Sequence, residues 1–137
     1  MTDDTQPRVV PRAVEPQLMF TGDAAAALDL YAGVFGDTAV ESQVNADDGT
    51  IAFASFRIGG ARFRVIDSPP VHEFTFTPAI SFAVDCSTPE DVDRVVEALS
   101  ADGQVFMELG SYPFNDRYAW IADRFGVSWQ VGVASGA

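Results

Sequence analysis

The sequence predicts an α+β fold made of two copies of one βαβββ unit. Three observations carry this. A short apolar run, a helical pattern and three alternating runs occur in that order within residues 14–68, and the same order restarts within residues 79–133. The stretch GGARFRV in the first half is paralleled by FGVSWQV about 65 residues later. A unit of this size cannot bury its sheet face alone, so both units are expected in one structural domain.

Length and composition agree. The 137 residues suit one domain with a single core. Hydrophobic residues make up 47 % and 11 are phenylalanine, which excludes a disordered chain. No apolar run reaches the roughly 18–20 residues of a membrane span. No basic-then-apolar signal segment stands at the N-terminus. The single cysteine, Cys86, excludes an internal disulfide framework and fits a cytoplasmic location. Twenty Asp+Glu against eight Lys+Arg give a formal net charge of −12. That excludes nucleic acid as partner, because phosphate binding rests on Lys and Arg. It serves solubility and is compatible with a cationic ligand.

Residues 1–13 are polar, hold two prolines and show no period, and read as a flexible tail. Residues 14–20 read as a first strand. GDAAAALDLYAGVFG reads as a helix, with Ala24, Leu28, Tyr31 and Phe35 on one apolar face and Gly36 at its end. Strands follow at 38–45, 50–58 and 61–67, the last two joined by the Gly59-Gly60 hairpin signal. Residues 69–78 are a linker. The second unit begins with a strand at 79–84. STPEDVDRVVEALSADG is a capped helix: Thr88 and Asp91 have capping-box spacing, Pro89 takes the first helical position and Gly103 ends it. Strands at 104–109, 118–122 and 127–133 complete the unit, the last two separated by a turn at 123–126.

The last strand raises a question about function. Strand residues alternate faces, so Val127, Trp129, Val131 and Val133 share one side and Ser128 and Gln130 the other. A glutamine whose neighbours are Ser128 and Gly132 either meets water or points into a cavity that needs an amide. Other chemistry is sparse. His72, the only histidine, lies in the linker among prolines and supports no serine triad. Cys86 precedes a helix N-terminus, where a thiol can be activated, but it reads as a half-buried strand-end residue. Glu90 and Asp91 complement the helix dipole. Arg62 and Arg64 share a strand face, either solvated or gripping an anionic group. Most strand aromatics belong to the core, and a few should wall a pocket.

The stretches FTGDAAAALDLYAGVFGD, FTFTPAISFAVDCSTPEDVDRVVEALSADG and YAWIADRFGVSWQV resemble the PhnB-like branch of the vicinal oxygen chelate superfamily, which includes glyoxalase I, bleomycin-resistance proteins and extradiol dioxygenases. The resemblance implies a curled eight-stranded mixed sheet whose cup holds the site. Branch members often carry the name of a 3-demethylubiquinone methyltransferase. The chain shows neither the glycine-rich loop nor the alternating βα pattern of the usual methyl-donor fold. Superfamily enzymes place metal ligands on the first and last strand of each unit, and those positions here hold Gln17, Arg64, Ser81 and Gln130. Phe82 and Trp129 join them as candidates for the cavity wall.

Zinc takes His, Cys or carboxylate, and Fe(II) oxygenases use two His and a carboxylate. The quartet offers none of these. The expectation is therefore a metal-free protein without cofactor that binds a small molecule in the sheet cavity. The resemblance further implies a homodimer, because the superfamily commonly completes its sites across subunits. Two alternatives stay open. One is a divalent-metal enzyme of the glyoxalase type (a lyase, isomerase or dioxygenase), with Asp67 or Glu108 completing the metal shell. The other is a resistance protein that sequesters a cationic drug. No catalytic residue is assigned.

Overall fold

The structure is a computed structural model and describes residues 6–135. Part of the expected tail, residues 1–5, lies outside the described residues, and residues 6–13 are exposed without helix or strand. The first unit runs β1 (Gln17–Phe20), α1 (Ala24–Val34), β2 (Thr38–Asn45), β3 (Ile51–Ile58) and β4 (Ala61–Asp67). The second runs β5 (Phe82–Cys86), α2 (Pro89–Ser100), β6 (Gln104–Tyr112), β7 (Asn115–Ala122) and β8 (Ser128–Val133). The twofold βαβββ order is therefore observed.

Each unit forms a four-stranded mixed sheet with the same order, β1-β4-β3-β2 in one and β5-β8-β7-β6 in the other. In both, the first strand lies parallel to the last, Gln17 opposite Arg64 and Phe82 opposite Trp129. The remaining pairs are antiparallel. The eight strands thus stand as two sheets that are not closed onto each other by backbone pairing.

Two strands start later than expected. β1 begins at Gln17 rather than residue 14, because Pro16 has no N–H to give the ladder, although its carbonyl still accepts from Arg64 N at 2.9 Å. β5 begins at Phe82 rather than residue 79, where its pairing with β8 starts. Ser81 therefore sits just ahead of the strand. β6 and β7 extend further than expected and meet in a tight turn at Pro113-Phe114.

The helices follow their sequence signals. Thr88 Oγ1 accepts from Asp91 N at 3.1 Å and Pro89 opens α2, whose buried face is Val92, Val95, Val96 and Leu99. In α1 the buried face is Ala24, Ala27, Leu28 and Tyr31, with Phe35 packed beside it. The helix exits use aspartate where glycine was expected. Asp37 (φ 52°) and Asp102 (φ 60°) take the left-handed conformation, which Asp tolerates better than most residues. Gly103 serves a different need: a Cβ there would lie 2.1 Å from the carbonyl oxygen of Ala122.

Both units share one core. Phe63 of β4 meets Phe82 of β5 at 5.3 Å, Phe82 meets Trp129 of β8 at 4.9 Å, and Trp129 meets Tyr31 of α1 at 5.1 Å between ring centroids. Burial of such rings supplies about 1.5–3 kcal/mol each, plus a smaller edge-to-face contribution.

Candidate functional site

The alternation in β8 sorts its side chains as expected. Trp129 is 1 % exposed and Val131 fully buried, whereas Gln130 is half-buried on the opposite face. Gln130 does not simply meet water. Its Oε1 accepts from the Tyr118 hydroxyl at 2.6 Å, and its Nε2 donates to Ser81 Oγ across a long 3.4 Å. Ser81 Oγ lies 2.6 Å from Ser128 Oγ, and Trp120 Nε1 donates to Ser128 Oγ at 2.9 Å. Five side chains from β5's approach, β7 and β8 thus form one chain of hydrogen bonds: Tyr118, Gln130, Ser81, Ser128 and Trp120. The register explains the grouping, since Trp120 lies opposite Gln130 and Ala122 opposite Ser128 in an antiparallel pair. Burial, and secondarily Tyr112, pushes the Tyr118 hydroxyl above its ordinary range, so it stays a protonated donor.

The other half of the quartet sits on the first sheet. Gln17 is exposed and opposite Arg64. Arg62 and Arg64 alternate with buried Phe63 and Val65 and point away from the core. Arg64 Nε donates to Glu15 Oε1 at 3.0 Å. Arg62 donates to both oxygens of Glu41, through Nε and, at 3.0 Å, through Nη2. The structure joins Ser81 to Gln130 and sets Gln17 beside Arg64. Within one chain no hydrogen bond among the described residues links these two pairs. Of the aromatic candidates, Trp129 turns into the core, where its Nε1 donates to Asp123 Oδ2 at 2.9 Å. Phe82 reaches a small cavity of about 100 Å³, walled also by Leu18, Phe76 and Ile80, with the Ser81 and Ser128 hydroxyls on its edge.

The carboxylates considered as metal ligands are otherwise engaged or remote. Asp67 Oδ1 accepts from Gly22 N at 2.9 Å and Ala24 N at 3.0 Å, and Oδ2 accepts from Ile51 N at 2.9 Å. It ties the entry of α1 to β3. Glu108 is exposed on β6. Among the described residues no group of three or more His, Cys, Asp or Glu stands together as a metal cluster. The quartet does not fit the metal that the resemblance implies: an arginine repels a cation, Ser81 and both glutamines are neutral, and Ser81 and Gln130 are already hydrogen-bonded. Cys86 is 8 % exposed, and burial first, then Asp91 and Asp85, push its thiol up, away from reactivity. His72 lies exposed in the linker, its ring stacked on Phe74.

Sequence reasoning missed Tyr118 as the partner of the glutamine and Trp120 and Ser128 as further members of its hydrogen-bond chain. The signal was available in part: a hairpin pairing of the two last strands places Trp120 across from Gln130. It also missed Asp123, whose buried carboxylate organises the turn before β8.

Comparisons with known proteins agree with the fold. The model of the family described as 3-demethylubiquinone-9 3-methyltransferase matches residues 12–132. The uncharacterised protein MT0910 of Mycobacterium tuberculosis is 32 % identical over 135 residues, spanning 94 % of this chain and 78 % of that protein. The structure of the PhnB protein from Bacillus cereus, which carries the same methyltransferase description, superposes with a TM-score of 0.86 at 40 % identity, covering 90 % of this chain and 100 % of that one. A glyoxalase/bleomycin resistance protein/dioxygenase from Nocardioides shares the fold, with a TM-score of 0.56 at 21 % identity over 93 % of this chain and 89 % of that one. A family model that spans nearly the whole chain, together with 40 % identity to the PhnB protein, means that this chain belongs to the PhnB-like family described as 3-demethylubiquinone-9 3-methyltransferase.

Proposed function

We propose that the protein binds a small molecule without a metal, at the face of the β5–β8 sheet that carries Gln130 and Ser81. One observation carries the reading. Gln130 is a half-buried amide held by Tyr118, and its N–H side has only a 3.4 Å contact to Ser81. A positioned amide with donor capacity to spare is a polar anchor of the kind that fixes a ligand in an apolar site. Gln17 and Arg64 would form the second wall of such a site in a homodimer. Because Glu15 already engages Arg64, a neutral ligand suits that wall better than a strong anion.

The methyltransferase in the family's description is not the activity we propose. Methyl-donor sites of the usual kind sit at a glycine-rich loop after the first strand of a doubly wound parallel sheet. Here the loop after β1 holds one glycine, Gly22, whose N–H is taken by Asp67. Elemental analysis of protein purified without chelators tests the metal-free reading. The expected result is well under one Zn, Ni, Mn or Fe per chain, and a value near one would overturn it. Native mass spectrometry of the same sample is expected to show a bound neutral compound.

A second reading rests on a separate feature. An open groove of about 440 Å³ is lined by Asp85, Asp116, Asn115 and Phe114. Two carboxylates beside an aromatic ring suit an organic cation, as a drug-sequestering protein would need. Binding of a cationic dye that weakens steeply with added salt would favour this reading over the first.

A further inference from the structure

We propose that the Gln130 face binds a neutral, planar aromatic ring that carries a carbonyl or ring-nitrogen acceptor on its edge. The proposal rests on the metal-free reading above and gives it a ligand class. Toward β5 and along β8, the positions next to Gln130 on its own face are small. Ala83 lies beside it on β5 and is exposed, and Ser128 and Gly132 flank it along β8. No large side chain therefore covers the amide from β5 or from its own strand. The amide of Asn115 lies at the Gly132 end, its Nδ2 2.5 Å from where a Cβ on Gly132 would be.

The β7 side is aromatic. Trp120 lies directly across from Gln130, and Tyr118 across from Gly132. Trp120 is half-buried although it faces away from the core, and its indole is braced by the Phe106 ring at 5.1 Å and by the bond to Ser128. A rigid indole held at both ends, with area left open, is a stacking platform for a flat ring. Hydrogen-bond polarity sets the ligand's edge. Tyr118 donates to Oε1, so Nε2 is the amide atom left to donate outward, and a ligand must answer with an acceptor. Charge excludes a carboxylate. Tyr118, Trp120, Ser128 and Gln130 are neutral, and the charged residue beside Gly132 on the same face is Asp85.

Three matched probes test the proposal: quinolin-2-one (flat, with carbonyl), its fully saturated lactam (carbonyl, no flat ring) and naphthalene (flat, no carbonyl). Binding is read by thermal shift and by quenching of Trp120 fluorescence, with the core residue Trp129 as reporter of the intact fold. Quinolin-2-one is expected to bind about tenfold tighter than either control, the size of one stacking contact or one hydrogen bond. Trp120→Leu should remove the preference over the saturated lactam. Gln130→Glu keeps the shape and the Tyr118 bond but replaces the donor with a carboxylate, and should abolish the preference over naphthalene. If the saturated lactam binds as well as quinolin-2-one, the ring class is wrong while the amide-anchored site stands. If none of the three binds to well-folded wild type, the proposal falls. The metal-free reading is judged separately, by metal content and native mass spectrometry.

Discussion

Asp123 shows how much one buried residue can hold. It is 2 % exposed, and its carboxylate accepts four hydrogen bonds. Phe125 N and Val127 N fold the β7–β8 turn onto Oδ1, while the Tyr31 hydroxyl and Trp129 Nε1 reach Oδ2 from α1 and from the core. The residue fixes the start of β8 and hence the placement of Gln130 two strand positions after Ser128. Asp123→Ala would strand two buried side-chain donors and two turn amides, each costing about 1–3 kcal/mol. We expect a loss near the low end of that sum, about 4–5 kcal/mol in unfolding free energy, read by urea titration; a loss below 1 kcal/mol would contradict this account. Tyr31 adds a pH test. Burial, and then Asp123, raise its hydroxyl far above its ordinary value of 10. The folded state keeps the proton where the unfolded chain releases it, so this stability is complete below pH 10 and falls as pH rises above it. Tyr31→Phe should abolish that alkaline loss while leaving stability near neutrality reduced. The turn at 123–126 was legible from Asp and Gly in the sequence. The carboxylate's role was not, because its partner Tyr31 lies 92 residues away.

At the scale of elements, legibility followed how local each signal is. The start of α2 depends on Thr88, Pro89 and Asp91, all within four residues, and was readable to the residue. The start of β5 depends on where the distant β8 offers its ladder, whereas β1 starts just past Pro16; each begins about three residues later than expected. The helix exits were read correctly in position and wrongly in mechanism, since a close approach between elements leaves no mark in local sequence. A pair of substitutions separates the two mechanisms. Gly103→Ala would drive a Cβ to 2.1 Å from the Ala122 carbonyl, backbone that cannot swing aside. Overpacking of that kind costs about 1–3 kcal/mol. Gly36→Ala meets nothing within 4 Å and has no left-handed φ, so it should be neutral or stabilise by about 0.4–1 kcal/mol through the unfolded chain. Equal effects in urea titrations of the two variants would refute this distinction. For the candidate site, the four positions Gln17, Arg64, Ser81 and Gln130 follow from the family resemblance and the internal repeat rather than from any local chemistry. Their hydrogen-bond partners are not legible locally, because which side chain of β7 reaches Gln130 or Ser128 depends on the register between β7 and β8.

The whole molecule leaves both of its sheets with an open side. β2 and β6 are the outer strands of their sheets, and they expose Val40 at 47 %, Val44 at 59 %, Val105 at 54 % and Phe106 at 36 %. Exposed apolar edge strands invite pairing and are normally covered or charged. We therefore expect a homodimer at micromolar concentration, with a light-scattering mass near twice 14.7 kDa. Charge gives this expectation a direction. Each copy carries a formal net charge of −12, so association brings like charges together and added salt should relieve the repulsion, since exposed charges are screened beyond about 8 Å at physiological ionic strength. The dimer should therefore tighten as salt rises, opposite to the weakening expected for capture of a cation. Val44→Glu and Val105→Glu would place a charge on each outer strand and should shift the mass toward the monomer without unfolding it, because both side chains already meet solvent. A mass that stays near 14.7 kDa from low to high salt would show that the chain's own surface, rather than a second copy, completes the faces of its sheets.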